Sequence, residues 1–516
     1  MSTVALKSKE GKWIMIAAIM ASAMAFIDGT ALNVVLPALQ KGLNASGTDL
    51  FWLLNAYLLM LASLILIGGS LGDKLGRKKV FMLGIFIFVI GSGCCGMVAN
   101  VFYLIVFRIV QGIGGALMIP GSLSLITSSI DEKERGKAIG TWSAATTAVT
   151  IGGPVLGGAL ADAGLWRYIF FINIPIGIIA LIILITKVAE SRDENAVKAI
   201  DIGGAITIAL GLAGLTFGFL RIPEKGFNNW EVIVSLSVGL FMLILFILIE
   251  KKSQHPMMPL TLFSIKAFTG ANLLTFFLYA GLGTGMLFLS LNLVQIQHYS
   301  QLESGLTFLP FTLLMIIFAR FSGNLADKFG PRIFLITGPF VAGIGLLVLA
   351  LVKQTNGVSD YWFTFFPGIL LFGLGMSFTV APLTATVMGA VDDRFSGTAS
   401  GVNNAISRIC SVFANAIFGA LAILYFSNGL QKQLRQTLFT THVKSAIIAQ
   451  SVNLGNAKVP AGISGENSIL ITDYFHHSFL EAYFKIMLIA AALCFIGSLM
   501  SVLFIKNKAV IVSPST

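Results

Sequence analysis

Asp28 lies in Ala25-Phe-Ile-Asp28-Gly-Thr30-Ala-Leu-Asn33-Val-Val-Leu-Pro37, an acid in the middle of an apolar run. A carboxylate well inside an apolar helix costs at least ~2.5–3.5 kcal/mol to insert, so it turns toward a bundle interior or a wetted cavity. There it can load and release a proton, and Asp28 is the first candidate for a proton-coupling site. Arg108, in Phe107-Arg108-Ile-Val-Gln111-Gly112-Ile-Gly114-Gly115-Ala116, stands one to two turns inside another apolar run and needs an acceptor at that depth. Asp28 is the natural one. Movement of such a pair between two conformations would change the hold of the acid on its proton.

Other residues read as machinery around this pair. Gly69-Ser-Leu-Gly-Asp73-Lys-Leu-Gly76-Arg77-Lys78 places Asp73 and Arg77 four apart, with glycines for a tight turn, and reads as an ion-paired conformational latch. Gly153-Pro154-Val-Leu-Gly157-Gly158 has glycines four apart, which lets helix backbones touch, and a proline that permits bending. Arg320 and Arg408 also fall near membrane depth; Arg320 is read as reaching toward the interface, and Arg408, with Asn33, is a secondary candidate. The four cysteines all lie in apolar runs as packing residues, and the five histidines show no metal-ligand spacing. No P-loop, HExxH or Gly-x-Ser-x-Gly occurs, which argues against ATP hydrolysis and hydrolytic catalysis; no cofactor is expected.

Elements able to hold these groups follow from the composition. Of 516 residues, 56% are hydrophobic and 11% charged, and runs near twenty apolar residues recur, each long enough to cross ~30 Å of hydrocarbon. Spans are predicted at 13–37, 50–71, 79–99, 102–126, 138–161, 168–187, 201–221, 231–250, 268–296, 303–325, 332–352, 361–388, 397–425 and 480–505. Their length and continuity call for helices, not a barrel. The first run has no convincing cleavage site and is kept as a span. The net charge of +11 resides in short clusters between runs, a topology signal and not a nucleic-acid surface. Segments on the side of the termini hold 21 Lys and Arg, whereas the short connections on the other face hold only Lys41, Arg167, Arg221, Lys225 and Lys353. Both termini, 1–12 and 506–516, are therefore expected in the cytoplasm and the long loop 426–479 outside.

The chain also repeats itself. Gly69-Ser-Leu-Gly-Asp73-Lys-Leu-Gly76 returns as Gly323-Asn-Leu-Ala-Asp327-Lys-Phe-Gly330, and Gly112, Gly114 and Asp131 return as Gly373, Gly375 and Asp392. Two related halves follow: a six-helix bundle over 13–187 and another over 268–505, with two inserted spans in 188–267. Parallel repeats of this kind typify transporters that rock about a central site.

Taken together, these segments resemble the major facilitator superfamily, specifically its fourteen-span drug/proton antiporter branch. Gly69-x-Leu-x-Asp73-x-x-Gly76-Arg77-Lys78 is similar to the loop motif of the superfamily, and Arg108-x-x-Gln111-Gly112-x-Gly114-Gly115-Ala116 to its span 4 motif, for which proton transfer has been proposed. Gly153-Pro154-x-x-Gly157-Gly158 resembles the span 5 antiporter motif. Asp28-x-Thr30-x-x-Asn33-x-x-x-Pro37 and Trp166-Arg167-Tyr168-Ile-Phe170-Phe-Ile-Asn173-Ile-Pro175-Ile-Gly177 resemble the fourteen-span branch. The resemblance implies an all-α polytopic protein of two six-helix bundles plus two extra spans, about fourteen transmembrane helices in a plasma or bacterial inner membrane. It further implies alternating access and export of small amphipathic molecules in exchange for protons by a monomer. The second loop motif has Pro331 where the first has Arg77, so one gate keeps the fuller charge network. The same scaffold also suits a proton-coupled carrier of one metabolite or lipid, whereas a receptor or enzyme would need a soluble domain or catalytic cluster that the sequence does not offer.

Overall fold

Helices joined by turns and short loops make up the described residues. The computed structural model describes residues 4–190, 201–254, 256–392, 396–435 and 437–506, and no strand occurs among them. The first half comprises α1 (Lys9–Leu43), α2 (Gly47–Leu75), α3 (Arg77–Met97), α4 (Val101–Ser129), α5 (Glu132–Asp162), and the short α6 (Tyr168–Phe171) stacked on α7 (Asn173–Lys187). Then come α8 (Ile202–Lys225) and α9 (Trp230–Lys252). The second half holds α10 (Lys266–Gln295), α11 (Gln301–Thr307) leading into α12 (Leu309–Phe329), α13 (Pro331–Ala350), α14 (Phe365–Gly389), α15 (Ser396–Leu434), α16 (Thr441–Ala449) and α17 (Glu466–Phe504).

Thirteen helices among the described residues are long and apolar enough to span a membrane. The remaining predicted span is covered by α5, whose 31 residues give ~46 Å of helix, beginning Glu-Lys-Glu-Arg and continuing in Gly, Ala, Ser and Thr. Small polar residues suit a helix buried between others, and α5 packs along α1 and α11. By contrast α9 exposes Ile233, Val234, Val238, Leu240, Phe241, Ile244, Ile247 and Leu248, the surface of a helix that faces lipid. The long loop is shorter than the sequence suggested, because α15 continues to Leu434 and α17 starts at Glu466.

The repeat is visible in packing. In the first half α3 packs on α4, α2 on α4, and α1 on α5 and α7; in the second, α13 packs on α14, α12 on α14, and α10 on α15 and α17. Close approach explains the repeated glycines. A Cβ on Gly112 would stand 2.6 Å from the Tyr57 carbonyl of α2, and one on Gly373 would stand 2.9 Å from Phe311 Cα of α12. Gly114 and Gly375 likewise abut the backbones of α3 and α13. Helix starts repeat too: Ser46 and Asp49 form a capping box on α2, and Ser300 and Glu303 form one on α11. The halves meet through α2 against α15 and α5 against α11, a pseudo-symmetric pair of seams, while α8 and α9 pack on each other and α8 leans on α15 and α2.

Candidate functional site

Arg108 enters α4 ~10 Å below its first residue, and the side chain is 1% exposed. Its Nη1 donates to Asp28 Oδ2 at 2.5 Å and to Gln111 Oε1 at 2.8 Å, while Nε donates to the Leu53 carbonyl at 3.3 Å. Gln111 Nε2 donates to the other carboxylate oxygen, Asp28 Oδ1, at 2.9 Å. The Tyr57 ring lies under the guanidinium, 4.4 Å from its carbon. Arg108 and Gln111 reach the same acid because they are three apart on one helix face. Gly115 stands against the Tyr57 hydroxyl, 3.2 Å from where its Cβ would be, which leaves room for that ring. Asp28 is 1% exposed, so both charges are out of water and matched. Breaking such a pair from one side is far costlier than its net contribution to stability.

Beside the pair opens a cavity of ≈ 170 Å³ between the halves. Its first-half wall includes Phe26, Gly29, Thr30, Asn33, Tyr57 and Arg108; the second-half wall is Gly283, Arg408, Ser411 and Asn415. The two secondary candidates, Asn33 and Arg408, therefore face one space with Arg108, while Asp28 lies behind it. Gly29 and Gly152 are exposed with nothing near their absent Cβ atoms, and Asn404, one turn before Arg408, is exposed as well.

At the face opposite the termini the halves are closed. Gly158 abuts the Gln301 carbonyl and would set a Cβ 2.7 Å from Leu302 Cα; Gly157 abuts Ala31 of α1, and Gly153 abuts Thr30. Pro154 offers its carbonyl side to Gly305. Asp162, at the end of α5, accepts the Gln301 and Leu302 amides at 2.8 Å each. Gln295 donates to Gln40 Oε1 at 3.0 Å, Asn456 donates to the same oxygen at 2.7 Å, and Gln40 donates to the Asn453 carbonyl at 3.2 Å. Gly153, Pro154, Gly157 and Gly158 thus bind α5 to α1 and to the other half at once.

The loop after α2 is held differently. Gly76 has φ 114°, a conformation that favours glycine, and Gly330 repeats it at φ 85°. Glu190, beyond α7, accepts the Lys78 amide at 3.0 Å and the Lys79 amide at 3.2 Å, and Lys78 Nζ donates to the Val188 carbonyl at 2.6 Å. A Cβ on Gly69 would stand 3.9 Å from Pro120 of α4. The side chains of Asp73, Asp327 and Arg320 lie outside the described set. Tyr57, Glu190, Gln40, Gln295 and Asp162 were not among the sequence candidates, because a partner brought close by folding leaves no periodic signal.

The family model described as Major Facilitator Superfamily matches residues 18–415, and the chain belongs to that superfamily of multi-pass membrane transporters. It is 28% identical over 480 residues to the tetracenomycin C resistance and export protein of Streptomyces glaucescens, covering 92% of this chain and 88% of that one. It is 30% identical to the multidrug resistance protein Stp of Mycobacterium tuberculosis, covering 83% and 80%, and 31% identical to the multidrug transporter protein MdtP of Bacillus subtilis, covering 80% and 76%. Among solved structures it is similar to an inward-facing, unoccupied bacterial homologue of the human lysosomal transporter Spinster, with TM-score 0.67 and 19% identity over 99% of this chain and all of that one. That last likeness concerns the fold alone.

Proposed function

We propose that the protein exports small amphipathic compounds, drugs among them, across a cell membrane in exchange for protons, working as a monomer with both termini cytoplasmic. The observation that carries this reading is the matched, buried Asp28–Arg108–Gln111 set beside a cavity between the two halves. Export is supported by the resistance and export relatives, and the orientation by the Lys and Arg bias between faces. The closed seam of α5 and α11 then lies outside and the cavity opens inward.

In this state the ion pair fixes Arg108 and Tyr57 as one wall of the cavity. A proton on Asp28 removes the charge that holds Arg108, loosens that wall and releases substrate; loss of the proton to the cytoplasm rebuilds the wall for the next molecule. The Gly69–Lys78 loop and its counterpart at Asp327 and Gly330 act as the inner gate. One proton moving through ~100 mV supplies ~2.3 kcal/mol, enough for a gradient on the order of fifty-fold, so ATP is not required. In sealed vesicles with an imposed pH difference, substrate is expected to move against the proton flow. Substrate and protons travelling together would replace this reading with the uptake carrier.

The outer seam carries a separate prediction. Asp162→Asn weakens two charge-assisted bonds and is expected to raise the outward-open population about tenfold or more, and Gly158→Val, which has no room, is expected to prevent closure. Spin-label distances between the outer ends of α5 and α11 should lengthen in both variants; unchanged distances would rule the seam out as a gate.

A further inference from the structure

One charge in the cavity has no counterpart. The Arg108 guanidinium is balanced by Asp28, but Arg408, on the opposite wall, has no ion pair or hydrogen-bond partner among the described residues. It lies ~18 Å along α15 from its first residue, near mid-membrane, where an idle cation is costly and marks a functional position. Ser411 and Asn415 follow at three and seven residues, so all three share one helix face and all three line the cavity. Ser411 donates its own hydroxyl to the Ser407 carbonyl at 2.9 Å, whereas Asn415 is buried without a hydrogen-bond partner among the described residues. The opposite lining offers apolar Phe26, Leu54, Leu58 and Ile119 beside Thr30, Asn33, Tyr57 and the paired Arg108. The free donors of Arg408 and Asn415 on one wall, with apolar surface among the already paired polar groups of the other, fit an apolar body that carries oxygen acceptors along one edge.

Charge narrows the class further. With Arg108 and Asp28 cancelling, Arg408 leaves the cavity one positive charge in excess, which repels organic cations. A full anion would bind best after Asp28 takes a proton, because a second uncompensated guanidinium would then face it. That would tie substrate and proton to the same direction, contrary to exchange. An uncharged ligand avoids both conflicts.

We infer that Arg408 is the specificity-determining donor of the central cavity, and that the substrates are uncharged aromatic molecules bearing carbonyl, quinone or phenol oxygens. This inference rests on the export reading above for its exclusion of anions. The test is equilibrium binding to the purified full chain in detergent, with a neutral hydroxyanthraquinone and with tetraphenylphosphonium as probes, in the unaltered protein, Arg408→Lys and Arg408→Gln. The unaltered protein should bind the quinone at least about tenfold more tightly than the cation. Arg408→Gln should lose about tenfold for the quinone and gain for the cation, and Arg408→Lys should go on excluding the cation while binding the quinone more weakly, since it lacks the planar fork. Melting temperatures identify any variant that fails to fold, in which case the two-probe comparison in the unaltered protein decides. Equal affinity for the two probes, or a folded Arg408→Gln with the quinone affinity unchanged, would overturn the assignment. Failure of proton exchange in vesicles with this probe preference intact would instead refute the coupling scheme and leave Arg408 as the selective donor.

Discussion

Asp28→Asn should abolish pH-driven accumulation of substrate in vesicles, a loss of at least about a hundredfold in net transport, while exchange of labelled for unlabelled substrate persists. The amide keeps the size of the side chain and can still accept from Gln111 or Arg108, so the cavity survives. It cannot gain or lose a proton near neutrality. Without that step the balance between the two mouths no longer follows pH, and the gradient does no work. Loss of both activities would make Asp28 a folding residue; retention of both would move coupling elsewhere.

Arg108→Ala is expected to damage stability more than any other single change in the site. It leaves the Asp28 carboxylate, 1% exposed, without its cation, and removes the donor to the Leu53 carbonyl and the support for the Tyr57 ring. Breaking a buried pair from one side typically costs ~3–5 kcal/mol. The double variant Asp28→Asn/Arg108→Ala should recover a large part of that loss, because no buried charge is then left alone. Melting of the purified variants checks this: additive destabilisation would mean that the two residues act independently.

Much of this architecture could be read from the chain. Apolar runs of spanning length placed the helices, and Gly112 and Gly114 with Gly373 and Gly375 disclosed two halves, because both sets meet the same need for close helix contact. Asp28 and Arg108 stood out because charges within apolar runs demand partners. What escaped were contacts between polar residues at the edges of runs, where a polar side chain is unremarkable. Asp162 holds amides 139 and 140 residues away, and Glu190 caps a helix start 112 residues earlier; neither spacing has a period to detect. Ser46-x-x-Asp49 and Ser300-x-x-Glu303 were legible as capping boxes, and their shared spacing with the loop repeat would have strengthened the evidence for two halves. Arg408 looked ambiguous for a different reason: its meaning depends on what faces it across the cavity, where no carboxylate pairs with it among the described residues.

Proton release on substrate binding tests the central claim most directly. Calorimetric titration of the purified protein in buffers of different ionisation enthalpy, over a series of pH values, should show up to about one proton leaving per substrate bound, and none in Asp28→Asn. Proton uptake, or release that is unchanged in that variant, would contradict the account.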